Sequence, residues 1–430
     1  MRVYYLLLLI GGLATLLTFQ DRRWKPLEVF DTDSGGYYVY LPSAFIYHSL
    51  TRADSLVILH QTYKPDSEIN IGLVELPQGG YITKYPLGVA LADLPWFLGA
   101  HFYAGRAGYP QDGFARPYQQ IIMVAGLFHA LLGLLVLARL LRHYFDDDTA
   151  AWSLAVVGLG TNWLCYASQE AAMAHAPLFL WQAALLYCTA RWFETFRLSF
   201  MLGIGLFLGM AVLTRPTEIL YALVPLLWGI SSGAHLRQRP MLLWRYRGQL
   251  LLAGLLFGAV VSLQLLFWRE ATGQWYVYTY QHERFDFAHP HLLEGLFSFR
   301  KGWLLYTPLA GVALLGIVLA LRRQVNAAWL PALVTVIVVV YVTFSWEQWW
   351  YGGGFSARPL VSLYPLLALA LASLLAQCRA RRISYRVLRG VLMLGILLNL
   401  WQTWQFGAGT LHWENTTAES YFANFFTLKY

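Results

Sequence analysis

Charge is scarce in this chain. Asp, Glu, Lys and Arg make up 13% of its 430 residues, while 58% are hydrophobic; soluble globular proteins carry roughly a quarter charged residues. A water-soluble globular enzyme is therefore excluded. Cysteine is also sparse, and Cys165, Cys188 and Cys378 lie within or at the end of apolar runs. They read as small hydrophobes rather than as a disulfide or zinc framework. The chain has no Walker loop, no GxSxG elbow, no HExxH, no dinucleotide fingerprint, no short-period repeat and no low-complexity tract, which leaves nucleotide-driven chemistry without support. The net charge of +8 is spread over short gaps between apolar runs. That pattern points to membrane topology, and no nucleic acid partner is expected.

Long apolar runs are what the chain has in abundance. The first, from Tyr4 to Phe19, is followed by no small-residue cleavage motif and reads as a retained anchor. Others of span length fall near 118–141, 150–168, 176–193, 198–214, 216–232, 248–268, 302–320, 328–345, 359–376 and 387–404. A bilayer core needs about 17–25 residues per helix, so about eleven transmembrane helices are expected in one all-α polytopic domain over 1–430. The gaps 139–149, 191–197, 235–247, 321–326 and 377–389, with Arg2, hold sixteen of the 31 Lys and Arg but only four of the 23 acids. Short basic loops mark the cytoplasmic side, which puts the N-terminus in the cytoplasm and the C-terminus outside. The outer side then holds a long first loop, about 20–116, and a second large one, about 269–301. Within the first, Tyr40 to His48 and Pro86 to Phe102 are apolar on one side and read as juxtamembrane helices in the interface.

Chemistry gathers in that first loop. Asp31, Thr32, Asp33, Ser34, Gly35, Gly36, Tyr37 and Tyr38 place two carboxylates one residue apart in a strand-like turn, with two glycines to let the backbone bend. One acid can face a substrate while the other hydrogen-bonds. Later in the loop, Lys84 precedes Tyr85, Pro86 and Leu87. An ammonium just before a helix N-terminus is suited to a phosphate at membrane level. The spacing alone also allows a solvated acidic turn and a snorkelling lysine.

The Asp-x-Asp with its following Tyr-Tyr, and then the Lys-Tyr-Pro-Leu segment, resembles the membrane glycosyltransferases of the GT-C class, in particular glycosyltransferase family 39, the protein O-mannosyltransferase and lipid A aminoarabinose transferase group. In that group the key Asp is commonly followed by Glu, where this chain has Ser34, and the lysine by two prolines, where it has Tyr85. The resemblance implies a GT-C-like fold and an integral membrane glycosyltransferase that moves a sugar from a polyprenyl-phosphate donor to a lipid, glycan or protein acceptor. The reaction would be inverting and would take place on the outer face of a bacterial-type inner membrane. Asp33 is then the general base, with Asp31 as its understudy, and Lys84 serves the donor phosphate.

Further outer-side cations, Arg300, Lys301 and Arg358, are candidates for the same phosphate, since arginine suits bidentate contact with it. Arg215 lies three residues from Glu218, the spacing of an internal ion pair. Tyr37, Tyr38, Glu170, His175 and Glu347 are candidate substrate contacts, and polar groups such as Glu170 and His175 are costly at a membrane edge. His282, Glu283, His289 and His291 fit no zinc signature. No metal site is indicated and no cofactor is certain; a divalent cation is compatible with the pattern without being indicated by it. A multi-pass transporter or flippase is the alternative; it predicts mid-span charges and repeated halves, whereas here the acids collect in one outer loop.

Overall fold

The computed structural model describes residues 2–25, 27–323, 328–379 and 381–428. Of the basic gaps, 324–326 and Ala380 lie outside the described residues. The apolar runs become helices because backbone polar groups in hydrocarbon must be satisfied within each segment. The first half comprises α1 (Arg2–Gln20), α2 (Asp33–Tyr38), α3 (Tyr40–Phe45), α4 (Ser55–Tyr63), the two-stranded hairpin β1 (Leu73–Glu75) and β2 (Tyr81–Thr83), α5 (Gly88–Ala107), α6 (Arg116–Tyr144), α7 (Asp147–Leu159), α8 (Trp163–Ala167), α9 (His175–Thr195) and α10 (Leu198–Thr214). After a 3₁₀ segment at Pro216–Ala222 come α11 (Leu223–Leu227), α12 (Gly233–Arg245), α13 (Arg247–Thr272), α14 (Leu292–Phe297), α15 (Trp303–Tyr306), α16 (Pro308–Arg323) and α17 (Trp329–Phe344). A second 3₁₀ segment at Arg358–Leu363 leads into α18 (Tyr364–Arg379), α19 (Arg382–Gly407) and α20 (Ala418–Asn424).

Among the described residues five helical segments are long and apolar enough to cross a membrane: α1, α6, α13, α19 and Arg358–Arg379, with shorter apolar helices beside them. Burial sorts them. The apolar stretch of Arg358–Arg379 is 94% buried and forms the centre, whereas those of α1, α13 and α19 are 22%, 22% and 17% buried and form the rim, where apolar side chains meet lipid at no cost. Helices approach closely where one presents a glycine: a Cβ on Gly205 of α10 would come within 2.3 Å of the Ala253 carbonyl on α13.

Three local expectations are corrected. The segment read at 216–232 is not one span-length helix but a 3₁₀ segment followed by the five-residue α11. The stretch read as short and interfacial from Pro86 is the 20-residue α5, which continues past Phe102 to Gly108 in a left-handed conformation; that residue ends the helix in the common glycine manner. The acidic motif is not a bent turn, since Asp33–Tyr38 is helical. Its glycines are required by crowding rather than by flexibility. A Cβ on Gly35 would lie 2.2 Å from the Phe30 carbonyl, and one on Gly36 2.3 Å from the Ile71 carbonyl and 2.4 Å from the Tyr85 ring.

The two ends of the bundle differ in chemistry. At one, Arg2 pairs with Asp148, Arg379 with Asp146, and Arg191 with Glu194, so residues of the N-terminus and three basic gaps meet there. At the other, the first loop folds on its own apolar core of Phe30, Tyr38, Leu41, Phe97, Phe114 and Tyr118. This second end carries the candidate site.

Candidate active site

Asp33 opens α2 and is held from two sides. Its Oδ1 accepts from the Tyr85 hydroxyl at 2.6 Å, and its Oδ2 accepts from Arg358 Nη2 at 2.6 Å. Burial alone would push the Asp33 carboxyl up, but the Arg358 charge, the Tyr85 hydroxyl and Lys84 outweigh it and hold the group below the usual carboxylate range. Tyr85 itself is pushed well above its ordinary value by burial and by Asp33, so it remains a hydrogen-bond donor. Its position is fixed by Tyr40, whose hydroxyl donates to the Tyr85 carbonyl at 2.5 Å, and by the Tyr37 ring 4.5 Å away.

Lys84 follows β2 rather than standing at a helix N-terminus, because α5 begins only at Gly88. Its Nζ donates to Glu283 Oε1 at 2.9 Å and lies 5.6 Å and 5.4 Å from the Tyr85 and Tyr280 ring centroids. Its carbonyl accepts from the Thr279 hydroxyl at 2.7 Å. Lys84 therefore ties the segment between α1 and α6 to the one between α13 and α14.

Arg358 begins the 3₁₀ segment ahead of α18, and the same Nη2 also donates to the Tyr351 carbonyl at 2.5 Å. The loop before it is strongly shaped: Tyr351, Gly352, Gly354 and Ser356 all have positive φ. It is pinned by Lys301, whose Nζ donates to the carbonyls of Gly354 and Trp413, and by Tyr166, whose hydroxyl donates to the Phe355 carbonyl at 3.1 Å and accepts from the Phe355 amide at 2.9 Å. Burial pushes the Lys301 ammonium down to about 7, with the Arg358 charge adding to the shift.

Arg215 completes the group. It donates to Glu218 Oε1 at 3.3 Å and to the Pro359 carbonyl at 3.2 Å, and its Nη2 lies 3.4 Å from His175 Nδ1. Beside it is a small opening lined by Arg215, Glu218, Tyr221, Phe285, Tyr351 and Pro359 among others. Its lining mixes the Arg215–Glu218 ion pair with aromatic and aliphatic side chains.

The structure thus brings together Asp33, Lys84, Tyr37 and Arg358, with His175 reached through Arg215. Other candidates are placed elsewhere. Asp31 is turned to a separate cluster, 3.1 Å from Lys64 Nζ and 3.6 Å from His60 Nε2, and its carboxyl is raised by burial against the pull of Lys64. Tyr38 lies in the loop core, stacked 4.0 Å from Phe30, with its hydroxyl on the Gly113 carbonyl. Consecutive positions on a helix point about 100° apart, so Tyr37 and Tyr38 cannot share a face. Glu170 pairs with Arg23 at 3.0 Å. Arg300 pairs with Glu414 at 3.1 Å and covers the Trp350 ring. Lys301 is buried on backbone carbonyls, and Glu347 is exposed. Tyr85 figures in the sequence only as a departure from the family's lysine segment and Glu283 only in a group that fits no zinc signature, and no motif singles out Tyr280 or Tyr351. Arg215 forms the ion pair its spacing suggests, yet it also reaches His175 and Pro359, which spacing could not disclose. Among the described residues no three His, Cys, Asp or Glu gather as a metal site.

This arrangement belongs to the GT-C fold of polytopic membrane proteins. ArnT from Cupriavidus metallidurans bound to undecaprenyl phosphate matches with a TM-score of 0.54 and 14% sequence identity, over 94% of this chain and 64% of that one. The apo form of the same protein matches with a TM-score of 0.51 and 14% identity, over 88% and 61%. The apo oligosaccharyltransferase of Archaeoglobus fulgidus matches with 0.52 and 12%, over 98% and 57%. The chain spans 57–64% of the length of these structures. No family model and no curated protein matches it.

Proposed function

We propose that the protein is an integral membrane glycosyltransferase that moves a sugar from a polyprenyl-phosphate donor to an acceptor hydroxyl, with inversion, on the outer face of a bacterial-type inner membrane whose cytoplasmic side holds the N-terminus. The observation that carries this reading is the convergence of one carboxylate, Asp33, with Arg358 and Lys84, and with Arg215 reaching the same segment through Pro359. The fold shared with an ArnT seen with undecaprenyl phosphate supports it. The acceptor is a lipid, a glycan or a protein.

In the proposed reaction the acceptor oxygen bonds to the anomeric carbon as the bond to the phosphate oxygen breaks. The hydroxyl proton passes to Asp33. The electron pair leaves with the polyprenyl phosphate, whose developing charge is met by Arg358, Lys84 and Arg215. At rest the Arg358 guanidinium neutralises Asp33 and makes it a weak base. A donor phosphate competes for that guanidinium, so donor binding frees the carboxylate when the acceptor is needed. His175, beside Arg215, and Tyr37, beside Tyr85, line the approach. Lys301 holds the loop that presents Arg358, and Arg300 and Asp31 have supporting roles outside the reacting groups.

The test is thermal stabilisation of the detergent-purified full chain by undecaprenyl phosphate and by short-chain polyprenyl-phosphate sugars, since a ligand that binds the folded state raises its apparent stability. Stabilisation by the lipid phosphate and not by the free alcohol is expected. A folded protein that none of these lipids stabilises would overturn the proposal.

A further inference from the structure

Between Glu218 and Glu270 the chain contains no acidic residue, yet it holds Arg237, Arg239, Arg245, Arg247 and Arg269. The first three of these lie on α12, a helix in which no residue is buried by the protein. A helix left uncovered on its apolar side requires another partner. Residues four apart share a face, so Leu236, Pro240 and Trp244 form one stripe, and Arg237, Met241 and Arg245 form the stripe beside it. Leu236, Met241 and Trp244 are 57%, 78% and 70% exposed. The opposite side is fastened to the bundle by Arg239, which donates to the Trp228 carbonyl and lies 4.8 Å from the Phe193 ring centroid.

The depth of α12 follows from its neighbours. It passes through Tyr246 into α13, a span-length helix that starts at Arg247. Tyr246 stacks on Phe196 at 4.6 Å, where α9 ends and α10 is about to begin. The far end of α10 is Thr214, next to Arg215. Hence α12 sits at the end of the bundle opposite the candidate active site, at the level where α13 enters hydrocarbon.

We propose that α12 is a surface anchor whose partner is an anionic phospholipid leaflet. Leu236, Met241 and Trp244 enter the boundary between headgroups and acyl chains, and Arg237 and Arg245 pair with lipid phosphates. A basic helix with exposed Trp and Leu and no acid is matched to a negatively charged membrane surface and mismatched to water. The anchor fixes the α11–α13 connection at one bilayer depth, independently of what is bound at the opposite end.

The experiment uses the full chain in lipid nanodiscs, with Met241→Cys carrying an environment-sensitive fluorophore and Cys378→Ser removing the half-exposed native thiol; Cys165 and Cys188 are buried. Discs of phosphatidylcholine are compared with discs that also contain phosphatidylglycerol. The expected result is a blue-shifted probe, quenched by spin-labelled lipid and shielded from aqueous iodide. The quenching should rise several-fold with phosphatidylglycerol and fall with salt or with Arg237→Gln and Arg245→Gln together. Iodide quenching in both discs as strong as that of a free water-soluble fluorophore would overturn the proposal, because α12 would then face water. Lipid quenching indifferent to phosphatidylglycerol and to the arginine variants would overturn the anionic partner. Melting temperatures within the scatter of the parent establish that the variants remain folded.

Discussion

Asp33 and Arg358 stand 325 positions apart in the chain and 2.6 Å apart in space. The pair joins the segment between α1 and α6 to the entry of the most buried of the described span-length segments, and both side chains are largely removed from solvent, at 26% and 12% exposure. A partly buried ion pair of this kind is weak as a stabiliser, since desolvation offsets attraction, but strong as a constraint, since removing one partner strands the other. It sets where the carboxylate sits.

Asp33→Asn should reduce glycosyl transfer at least 100-fold, the scale of a lost general base, while leaving stabilisation by undecaprenyl phosphate in place. Turnover within tenfold of wild type, measured with a polyprenyl-phosphate sugar, would remove Asp33 from the chemistry. The pair also predicts a pH effect. The folded carboxyl lies below its usual range, so its contribution to stability is present above the unfolded value, about 3.9, and is lost as pH falls through the folded one. Melting curves of the wild type should lose their advantage over Asp33→Asn on acidification.

Lys84→Ala should weaken binding of the lipid phosphate roughly tenfold or more, the scale of one hydrogen bond to a charged group. Thermal shifts against undecaprenyl phosphate concentration measure it. An unchanged titration would leave Lys84 as a tie between two loop segments through Glu283 and Thr279, without a part in donor binding.

Gly36→Ala should lower both stability and transfer, because the added Cβ meets the Ile71 carbonyl and the Tyr85 ring and displaces the residue that orients Asp33. Gly12→Ala on α1 is the control, with nothing within 4 Å of its Cβ; there the exchange should be neutral or stabilising, since alanine is the better helix former. Equal melting temperatures and rates for the two variants would contradict the packing account.

Lys301 supplies a pH signature of its own. Burial pushes its ammonium down to about 7, whereas in the unfolded chain a lysine titrates near 10.4. Between these values the unfolded state binds more protons, so the contribution of Lys301 to stability rises with pH and is flat below about 7. The melting temperature of wild type minus that of Lys301→Met should therefore grow from pH 7 towards pH 10. Parallel profiles would contradict it.

The sequence alone determined that the chain is helical and membrane-embedded, which helix ends are basic, and that Asp33 and Lys84 lie in one long segment between the first two long apolar runs. These are properties of local composition and spacing, and hydrocarbon leaves the backbone few alternatives to a helix. Only the tertiary structure decided which neighbours those residues meet. Asp31 and Asp33 are one residue apart, yet Asp31, before α2, meets Lys64, and Asp33, the first residue of α2, meets Arg358. Lys301 and Arg358 both read as outer-side cations, but one is spent on backbone carbonyls and the other faces the carboxylate. Arg215 spaces like a simple ion pair, and only the packing of its segment against the one before α18 and against the start of α9 brings it to Pro359 and His175. Such partners lie dozens to hundreds of residues apart, and side-chain periodicity within one helix carries no information about which distant helix will pack against it.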